Sequence, residues 1–363
     1  MKVIVSGGGS GGHIYPAIAV ADKVMEKDKN SKVLFIGNKV GIEEELVPRT
    51  GYEFKMVKTR WFDRQNPLDA IIMVKHVRQG VREALKIMRE FKPDVVIGTG
   101  GYAAVPVVIA GHKYGAKTFI QEQNAYPGMA NKLLAWYSDK IFIGFHRAEQ
   151  FFKKKKKIVF SGNPVREQFF TADKEQSRKE LGIPANDFVA FVLGGSQGSE
   201  ALNDASFRLM EEMNGKKGMT MIFATGEQYF EEIMTKIKDK NIKLQDNIIM
   251  RGFMDDIEKY MAASDLIIER SGALSVAETC ACGKAAIYVP SKNVTGNHQY
   301  YNAKEIADRG GAFIIKEDDL TPEIIIEKVF QIKDDKPLLD KMSKASRSCA
   351  PDHATDIIYS YFL

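Results

Sequence analysis

The sequence has few cysteines and no long apolar run. Its three cysteines, Cys280, Cys282 and Cys349, are too few and too irregularly spaced for a disulfide framework or a zinc site, so we expect a reducing cytoplasm. No apolar stretch reaches the roughly 20 residues that a membrane-spanning helix requires, and a strand predicted directly after Met1 leaves no room for a signal peptide. The net charge of +5 is too small to indicate a nucleic-acid partner by itself, and we expect none.

Two motifs of nucleotide sites are also absent. No Gly-Lys-Ser/Thr sequence follows either glycine-rich loop, which argues against a Walker-type ATP site. No Asp-x-Asp triplet occurs, so we expect no metal-bridged diphosphate, no metal site and no required cofactor, although assistance by a divalent ion stays open. The chain of 363 residues, 44% of them hydrophobic, is nevertheless long enough for two cores.

Glycine is abundant near the start of the chain. A short apolar strand over residues 2–6 runs into a loop, residues 7–12, that contains five glycines, and an apolar face at helical spacing follows. A strand that breaks into glycine and opens a helix brings backbone amides and the positive helix end close to a ligand. A related unit lies about half a chain downstream, where residues 188–193 run into the loop 194–198. The pair predicts two nucleotide-type domains that face one cleft.

The first loop matches the dinucleotide pattern G-x-G-x-x-G through Gly7, Gly9 and Gly12. That pattern also requires an acid at the end of the next strand, to hold a ribose. The next predicted strand instead ends in Gly37 and Asn38, and the acids that follow are expected inside a helix. The sequence therefore predicts a ligand other than NAD.

Strand and helix patterns alternate through the whole chain, as in parallel α/β sheets. The predicted strands are 2–6, 32–37, 94–98, 118–121, 140–144, 158–160, 188–193, 219–224, 248–252, 266–269, 285–289 and 312–315. The predicted helices of the first half are 16–26, 43–47, 68–91, 105–114, 129–136 and 148–152. A break at 161–164 is the predicted linker, which gives an N-terminal domain over 1–162 and a C-terminal domain over 163–350. Residues 351–363 are expected to form an amphipathic helix that packs back on the first domain.

Seven sequence blocks carry a family resemblance. They are GGSGGHIYPA at 8–17, TGGY at 99–102, EQN at 122–124, GNPVR at 162–166, GGSQG at 194–198, RSGALSVAE at 270–278 and HQYYNA at 298–303. Together, and in this order, they resemble the MurG family of bacterial N-acetylglucosaminyltransferases, which belongs to glycosyltransferase family 28. The resemblance covers nearly the whole chain. It implies an α/β GT-B fold, in which two Rossmann-like domains with parallel sheets are separated by a deep cleft.

The resemblance also implies an activity. Such an enzyme transfers N-acetylglucosamine (GlcNAc) from UDP-GlcNAc to the 4-hydroxyl of the N-acetylmuramic acid unit of lipid I, with inversion, and gives lipid II. Peptidoglycan synthesis, and with it cell shape and division, depends on this step. The partners implied are therefore UDP-GlcNAc, lipid I and an anionic membrane surface, and the expected location is the cytoplasmic face of the bacterial inner membrane, as a peripheral protein.

By resemblance, the donor is bound mainly by the second domain. The start of the helix that carries Glu278 would present amides and a dipole to the diphosphate, with Arg166 and Ser196 adding charge-assisted bonds. Because UDP gains negative charge as it leaves, fixed donors of this kind lower the barrier. Glu278 would accept both ribose hydroxyls, Met254 would cover the uracil and Gln299 would bond the sugar, while Phe253 is expected in the core. The full set of expected donor-binding residues is Ser10, Gly11, Gly12, Asn124, Arg166, Ser196, Met254, Ala273, Leu274, Ser275, Val276, Ala277, Glu278 and Gln299.

Two residues are candidates for the catalytic base. An imidazole titrates near neutrality, so His13 suits removal of the proton from the acceptor hydroxyl, although it could instead anchor the loop or contact phosphate. Glu122 is the rival base, with a buried structural acid as the alternative. Tyr15, Tyr102 and Asn131 are the expected acceptor-binding residues.

Two basic segments are candidates for contact with the membrane. The segment 67–89, which follows Trp61 and Phe62 and covers most of the helix predicted over 68–91, places five apolar residues among five cations, as an interfacial helix does. The run of residues 151–157 places two phenylalanines beside five lysines. A core helix with a solvated basic face and a solvated loop are the respective alternatives.

Rival functions remain open at this point. Another UDP-sugar enzyme of the same fold, such as a lipid galactosyltransferase or a non-hydrolysing UDP-GlcNAc epimerase, uses a similar donor site; His13, Tyr15 and Asn124 argue against the epimerase. An NAD-dependent oxidoreductase is disfavoured by the missing acid after residue 36. A sugar-nucleotide-binding protein without turnover shares most of the same residues.

Overall fold

The computed structural model describes residues 1–38, 43–59, 67–195, 197–351 and 353–363, with only the backbone described for residues 67–72 and Thr295. The chain forms two compact units. Unit 1 consists of Met1–Val165 together with His353–Leu363, and unit 2 consists of Arg166–Asp352.

Strands and helices alternate in both units. The strands are β1 (Lys2–Gly7), β2 (Lys32–Gly37), β3 (Glu53–Met56), β4 (Val95–Gly100), β5 (Lys117–Glu122), β6 (Lys140–Ile143), β7 (Ile158–Phe160), β8 (Phe188–Leu193), β9 (Met219–Ala224), β10 (Ile248–Arg251), β11 (Leu266–Glu269), β12 (Ala285–Tyr288) and β13 (Ala312–Ile314). The α-helices are α1 (Gly11–Lys27), α2 (Glu43–Arg49), α3 (Pro67–Phe91), α4 (Gly101–Tyr114), α5 (Met129–Leu134), α6 (Gln168–Thr171), α7 (Lys174–Leu181), α8 (Glu200–Met213), α9 (Glu227–Asp239), α10 (Ile257–Ala263), α11 (Ala273–Ala281), α12 (His298–Ala307), α13 (Pro322–Asp334), α14 (Lys336–Arg347) and α15 (Ala354–Ser360). Short 3-10 helices lie at His146–Phe151, Lys155–Lys157, Thr295–Asn297 and Glu317–Asp319.

Unit 1 contains a seven-stranded parallel sheet in the order β3-β2-β1-β4-β5-β6-β7. Val3, Ile4 and Val5 of β1 are fully buried, as expected for a parallel sheet that helices cover on both faces. The chain order reverses between β1 and β4, so the loops after these two strands meet at the carboxyl edge of the sheet. Open α/β sheets bind their ligands at such a reversal point.

Unit 2 repeats the scheme with a six-stranded parallel sheet in the order β10-β9-β8-β11-β12-β13. Its order reverses between β8 and β11. The predicted strands of this half agree with the structure to within one residue, because their apolar runs are short and bounded by turn residues. In unit 1 the prediction omits β3, whose sequence alternates polar and apolar residues and has no β-branched side chain.

Helix α1 begins earlier than the sequence predicts. The expected start was Pro16, but the helix runs from Gly11, and Pro16 lies inside it. The carbonyl of Ser10 accepts hydrogen bonds from the amides of His13 (3.1 Å) and Ile14 (3.3 Å), which closes the first turn before the proline is reached. His13 therefore lies on the first helical turn.

The final helix α15 belongs to unit 1. Ile358 and Phe362 join the apolar cluster that covers one face of the unit 1 sheet, where the ring of Phe362 stacks on Phe119 at 5.3 Å. Asp356 pairs with Lys23 at 3.3 Å and with a second lysine of α1 at 2.9 Å. Among the described residues, no helix is both long and apolar enough to cross a bilayer.

Candidate functional site

The first glycine loop lies at the point where the chain order of unit 1 reverses. It faces the junction between β4 and α4, Thr99-Gly100-Gly101, where both glycines have a positive φ. A Cβ atom on Gly101 would lie 2.1 Å from the carbonyl oxygen of Gly8, and one on Gly100 would lie 2.7 Å from Nδ1 of His13. Only glycine allows the two loops to approach this closely.

A buried acid that the sequence analysis missed supports the first loop from below. Glu43, the first residue of α2, is fully buried. Its carboxylate accepts hydrogen bonds from the amides of Gly9 (3.1 Å) and Asn38 (3.3 Å). The amide of Gly9, which the dinucleotide pattern would aim at a phosphate, is therefore already bound to a carboxyl group of the protein itself. A phosphate at this amide would have to displace that carboxyl group.

His13 is held by two oxygen acceptors. Its Nδ1 atom lies 3.1 Å from the carbonyl oxygen of Thr99 and 3.0 Å from Oε1 of Gln123. The hydroxyl of Thr99 in turn donates to the carbonyl of His13 at 2.6 Å. The imidazole is half-buried, and its position is fixed by Thr99, near the end of β4, and by Gln123, directly after β5.

Glu122 is buried and fully occupied by local contacts. Its Oε1 atom accepts from the amide of Asn124 (2.9 Å) and its Oε2 atom from the amide of Gly128 (3.0 Å) and from Nδ2 of Asn131 (2.9 Å). The side chain of Asn124 donates to the same carboxylate at 3.3 Å. The carboxylate thus shapes the loop between β5 and α5, with each oxygen already accepting two hydrogen bonds.

The residues expected to bind the acceptor differ in exposure. Tyr15 is 55% exposed, Tyr102 is partly exposed and Ser10 is exposed, so all three side chains are accessible at the carboxyl edge. Asn131 is 2% exposed, and its amide nitrogen donates to the carbonyl of Gln121 (3.1 Å) as well as to Glu122. Direct contact of Asn131 with a substrate would require these hydrogen bonds to break.

In unit 2, the corresponding reversal point is formed by the second glycine loop and by the start of α11. Gly272 is the N-cap of α11 and makes no side-chain cap, while the buried hydroxyl of Ser271 has no hydrogen-bond partner among the described residues. The carbonyl of Ser271 is held by Nδ2 of Asn302 at 3.2 Å. The main-chain amides at a helix start, beside a hydroxyl without a hydrogen-bond partner among the described residues, can bind an anionic ligand. Ser196 of the second loop lies outside the described residues.

Arg270 fixes this edge and was not among the expected site residues. Its guanidinium donates to the hydroxyl of Ser199 (3.0 Å) and to the carbonyl of Val289 (3.1 Å), and it pairs with Glu317. It thereby ties the ends of β11 and β12 to the N-cap of α8.

Glu278 lies in α11 near two other charged groups. Desolvation raises its pKa to about 7, Arg166 opposes the shift and Glu258 adds to it. Arg166 itself is half-exposed and donates to Glu258 at 2.9 Å, with its guanidinium 5.1 Å from the centre of the Phe169 ring. Contact of Arg166 with a diphosphate would therefore compete with Glu258.

A second buried acid, Glu269, lies at the end of β11 and was also missed. Its Oε1 atom accepts from the hydroxyl of Thr279 at 2.6 Å, and its Oε2 atom has no hydrogen-bond partner among the described residues. Burial raises its pKa to about 8, with the Thr279 bond opposing and Glu278 adding to the shift. The end of β11 therefore holds a carboxyl group that is largely protonated at neutral pH.

The remaining donor candidates lie on other loops of unit 2. Met254 is buried, whereas Phe253 is 56% exposed, so the expectation that Phe253 packs in the core is wrong. The side chain of Gln299, on the first turn of α12, accepts from the amide of Ser291 at 2.8 Å. The expected residues 273–277 form the first turns of α11, where Ala273 and Val276 are buried and the other three are partly exposed.

Among the described residues, no cluster of three or more His, Cys, Asp or Glu side chains could hold a metal ion.

An exposed apolar patch surrounds α5 in unit 1. Met129, Leu133 and Trp136 are 59%, 47% and 53% exposed. Lys154 lies 4.6 Å from the centre of the Trp136 ring, and Lys132 emerges from the same helix. We call these five residues the α5 patch. Exposed apolar side chains beside cations are typical of a surface that meets a membrane interface.

The structure describes the two segments predicted to touch the membrane to different extents. In the lysine run, Phe152 is 2% exposed, and Lys155 and Lys157 donate to the carbonyls of Glu149 and Ser138, at 2.5 Å each. In α3, Val77 and Leu85 pack against the core, and the side chains of residues 67–72 and all of 60–66 lie outside the described residues. The sequence analysis did not identify Trp136 as a surface residue, because an aromatic side chain in a predicted helix more often packs in the core.

Two family models match the chain. The model of the glycosyltransferase family 28 N-terminal domain matches residues 3–143, and that of the glycosyltransferase family 28 C-terminal domain matches residues 189–357.

Similar proteins cover almost the whole chain. It is 40% identical, over 99% of its length and 96% of the relative, to the UDP-N-acetylglucosamine--N-acetylmuramyl-(pentapeptide) pyrophosphoryl-undecaprenol N-acetylglucosamine transferase of Acetivibrio thermocellus. The protein of the same name in Clostridioides difficile is 39% identical, with 99% and 88% coverage. A crystal structure of MurG from Acinetobacter baumannii superimposes with a TM-score of 0.79 at 27% identity, with 99% and 98% coverage. A UDP-GlcNAc 2-epimerase from Neisseria meningitidis reaches a TM-score of 0.71 at 14% identity, with 99% of each chain covered, which shows a shared fold only.

Proposed function

Because the chain belongs to glycosyltransferase family 28 and, within it, to the MurG family with the GT-B fold, we infer that it is an N-acetylglucosaminyltransferase of peptidoglycan synthesis. It transfers GlcNAc from UDP-GlcNAc to the 4-hydroxyl of the N-acetylmuramic acid unit of lipid I and gives lipid II. The observation that carries this conclusion is the similarity to transferases of that name over 99% of the chain. A role in cell shape and division would follow from the product.

We assign the role of general base to His13. Its Nδ1 atom faces two acceptor oxygens, which leaves Nε2 to accept a proton. In the proposed step the proton of the acceptor hydroxyl passes to Nε2, and the hydroxyl oxygen forms a bond to C1 of GlcNAc. The bond between C1 and the diphosphate breaks, and its electron pair leaves with UDP. Attack from the side opposite UDP inverts the anomeric centre.

Glu122 has a different role in this proposal. Its carboxylate would need to give up a hydrogen bond from Asn124, Gly128 or Asn131 before it could take a proton. We therefore propose that Glu122 and Asn131 order the loop that presents Asn124, and that Asn124, Tyr15 and Tyr102 contact the substrates, along with Ser10, Gly11 and Gly12.

Donor binding is assigned to unit 2. The start of α11 and the unpartnered hydroxyl of Ser271 would bind the diphosphate, and Arg166 would join them by exchanging Glu258 for a phosphate. Glu278 would accept the ribose hydroxyls, the loop of Met254 would contact the uracil and Gln299 would contact the sugar. Positive donors of this kind need no bound metal, so we expect turnover to persist in EDTA.

The α5 patch is the proposed contact with the membrane that carries lipid I. It follows directly on the loop that Glu122 orders, so a lipid-bound acceptor would reach that loop from the membrane side. Loss of a cation near an anionic surface weakens binding by about 1 kcal/mol. The variant Lys132→Gln/Lys154→Gln loses two cations and should therefore bind phosphatidylglycerol vesicles roughly 30-fold more weakly. The matched variant Lys217→Gln/Lys243→Gln, changed at exposed lysines of unit 2, should bind normally. Equal binding by the two variants would rule out the patch.

Transfer itself is tested with labelled UDP-GlcNAc and a short-chain lipid I analogue, with UDP-GalNAc and UDP-glucose as competing donors. We expect a disaccharide product from UDP-GlcNAc alone. Binding of UDP-GlcNAc without any product would instead indicate a sugar-nucleotide-binding protein without turnover. Interconversion of UDP-GlcNAc with its 2-epimer would indicate an epimerase.

A further inference from the structure

Three buried amide side chains connect to His13 through hydrogen bonds. Gln121 and Gln123 are 0% and 1% exposed, and Asn163 is 6% exposed. Nε2 of Gln121 donates to Oδ1 of Asn163 at 2.9 Å, and Nε2 of Gln123 donates to Oε1 of Gln121. Oε1 of Gln123 then faces Nδ1 of His13 at 3.0 Å. We call this set of side chains the amide relay.

The direction of the amide relay is fixed at two main-chain carbonyls. Nδ2 of Asn163 donates to the carbonyl of Gln123 at 2.9 Å, so its Oδ1 must face Gln121. Nε2 of Gln123 donates to the carbonyl of Thr99 at 2.6 Å. A carbonyl oxygen can only accept, so rotation of either amide by half a turn would place two oxygens against each other. The end that Gln123 presents to His13 is therefore its oxygen.

This orientation selects one tautomer of the histidine. Both atoms that face Nδ1, the carbonyl oxygen of Thr99 and Oε1 of Gln123, are acceptors. Nδ1 must therefore carry the proton, and Nε2 of the neutral imidazole keeps its lone pair. A histidine in the other tautomer would have no lone pair at Nε2 and could not take a proton there.

We propose that Gln123 is a positioning residue that holds His13 in the Nδ1–H tautomer, so that Nε2 is the atom that removes the acceptor proton. The proposal rests on the role of His13 as base. A neutral amide orients the ring without the attraction for imidazolium that a carboxylate in the same place would add.

The tautomer can be measured without any turnover. In protein labelled with 15N-histidine, the protonated and bare ring nitrogens differ in chemical shift, and a spectrum of His13→Gln identifies the signals of His13 among the six histidines. We expect the Nδ1–H form in the wild type and a smaller share of it in Gln123→Met, a variant of similar size in which only the carbonyl of Thr99 still faces Nδ1. The Nε2–H form in the wild type, or no change in the variant, would overturn the proposal.

The kinetic consequence is specific to His13. A wrong tautomer or a lost orienting group costs roughly 10- to 100-fold or more in rate, so Gln123→Met should lose that much kcat with little change in KM for UDP-GlcNAc. Adding His13→Ala to Gln123→Met should cause no further loss beyond that of His13→Ala alone, whereas additive losses would show that Gln123 acts elsewhere. Gln176→Met, at an exposed glutamine of α7, should retain normal activity, and thermal unfolding of each variant checks that it is folded.

A charged replacement gives an independent readout. Gln123→Glu would place a carboxylate beside Nδ1, which favours the imidazolium, so the acid limb of the kcat profile should move up by about 1 to 2 pH units. An unmoved limb would contradict the proposal. If His13→Ala itself keeps near-normal turnover, the base assignment fails and the positioning role falls with it. If His13→Ala is inactive while Gln123→Met keeps both its tautomer and its rate, only the role of Gln123 fails.

Discussion

The reversal points of the two sheets have the same topology and opposite chemistry. In unit 1, the loop after β1 turns the amide of Gly9 toward the buried carboxylate of Glu43. In unit 2, the start of α11 has the hydroxyl of Ser271 without a hydrogen-bond partner among the described residues, and no side-chain cap at Gly272. The amide of Gly9 at the unit 1 point is thus paired within the protein, whereas the hydroxyl of Ser271 at the unit 2 point has no partner among the described residues. The same sheet topology therefore does not imply the same ligand.

The acidic side chains near the reversal points of the two sheets also differ in how far they are hydrogen-bonded within the protein. Glu43 and Glu122 of unit 1 accept hydrogen bonds from main-chain amides. Among the described residues, the carboxyl group of Glu269 in unit 2 accepts one hydrogen bond, from the hydroxyl of Thr279. Burial raises its pKa and that of Glu278. Unit 1 uses its carboxylates to shape loops, whereas unit 2 holds carboxyl groups that change charge near neutral pH.

The largest expected effect separates chemistry in unit 1 from donor binding in unit 2. His13→Ala should lower kcat by roughly 10²- to 10⁴-fold, the usual contribution of a general base, with the Kd for UDP unchanged. Single-turnover transfer and calorimetric titration of UDP measure the two quantities. His112→Ala, at an exposed histidine of α4, is the control, and near-normal transfer by His13→Ala would remove the base assignment.

The next effect concerns the charge of Glu278. Because burial raises its pKa to about 7, its carboxylate forms as the pH rises through 7. If that carboxylate accepts the ribose hydroxyls as proposed, affinity for UDP-GlcNAc should rise between pH 6 and pH 8. Glu278→Gln should bind roughly 10- to 100-fold more weakly at pH 8, as expected for loss of hydrogen bonds to a charged group, and should lose the pH dependence. Glu231→Gln, at an exposed acid of α9, should behave as the wild type. Calorimetric titration with UDP-GlcNAc at pH 6 and pH 8 measures these affinities. An equal change of affinity with pH in the wild type and in Glu278→Gln would contradict this role.

A smaller effect, on stability, is expected at Glu269. Its pKa is raised to about 8 in the folded state, so the folded protein binds a proton that the unfolded chain releases above its own pKa near 4.5. Stability is therefore lost as the pH rises from that value through about 8. Glu269→Gln carries no charge, so its free energy of unfolding should be roughly 1 to 3 kcal/mol larger than that of the wild type at pH 8.5, with a smaller difference near pH 5. Urea unfolding at both pH values measures this, and a difference independent of pH would contradict it.

The smallest expected effect concerns Glu43 and its hydrogen bonds to the first glycine loop of unit 1. Glu43→Gln keeps one acceptor and places an amide group against the N–H of Gly9 or Asn38, so we expect a loss of about 1 to 2 kcal/mol in the free energy of unfolding. Donor affinity should not change, because the proposed UDP contacts lie in unit 2. Glu44→Gln, exposed on the same helical turn, is the matched control. A large fall in UDP affinity in Glu43→Gln would mean that the first glycine loop does bind the nucleotide.

The sequence predicts the strands well and the polar contacts poorly. Runs such as Val3–Val5 have few alternatives to a buried parallel strand, whereas β3 lacks that signal. The start of α1 was placed too late because Gly11 and Gly12 are poor helix formers, and the carbonyl of Ser10 that caps them is not a feature of composition.

The candidate site shows the same limit. His13 and Glu122 stand out because their motifs are local. Glu43, Gln123 and Arg270 do not, since each acquires its role from partners on other strands, and only the fold brings these together. The exposure of Phe253 was likewise invisible, because an aromatic residue beside a strand suggests the core.

The return of α15 to unit 1 has a consequence for synthesis on the ribosome. The apolar face that Phe119 presents to Phe362, and the lysines that pair with Asp356, cannot be covered until residues 353–363 have left the exit tunnel. Unit 2, which is continuous, can fold before that moment. Unit 1, which carries His13, is therefore completed last, although most of it is made first. An extension or truncation near residue 360 should therefore impair the folding of unit 1 and not that of unit 2.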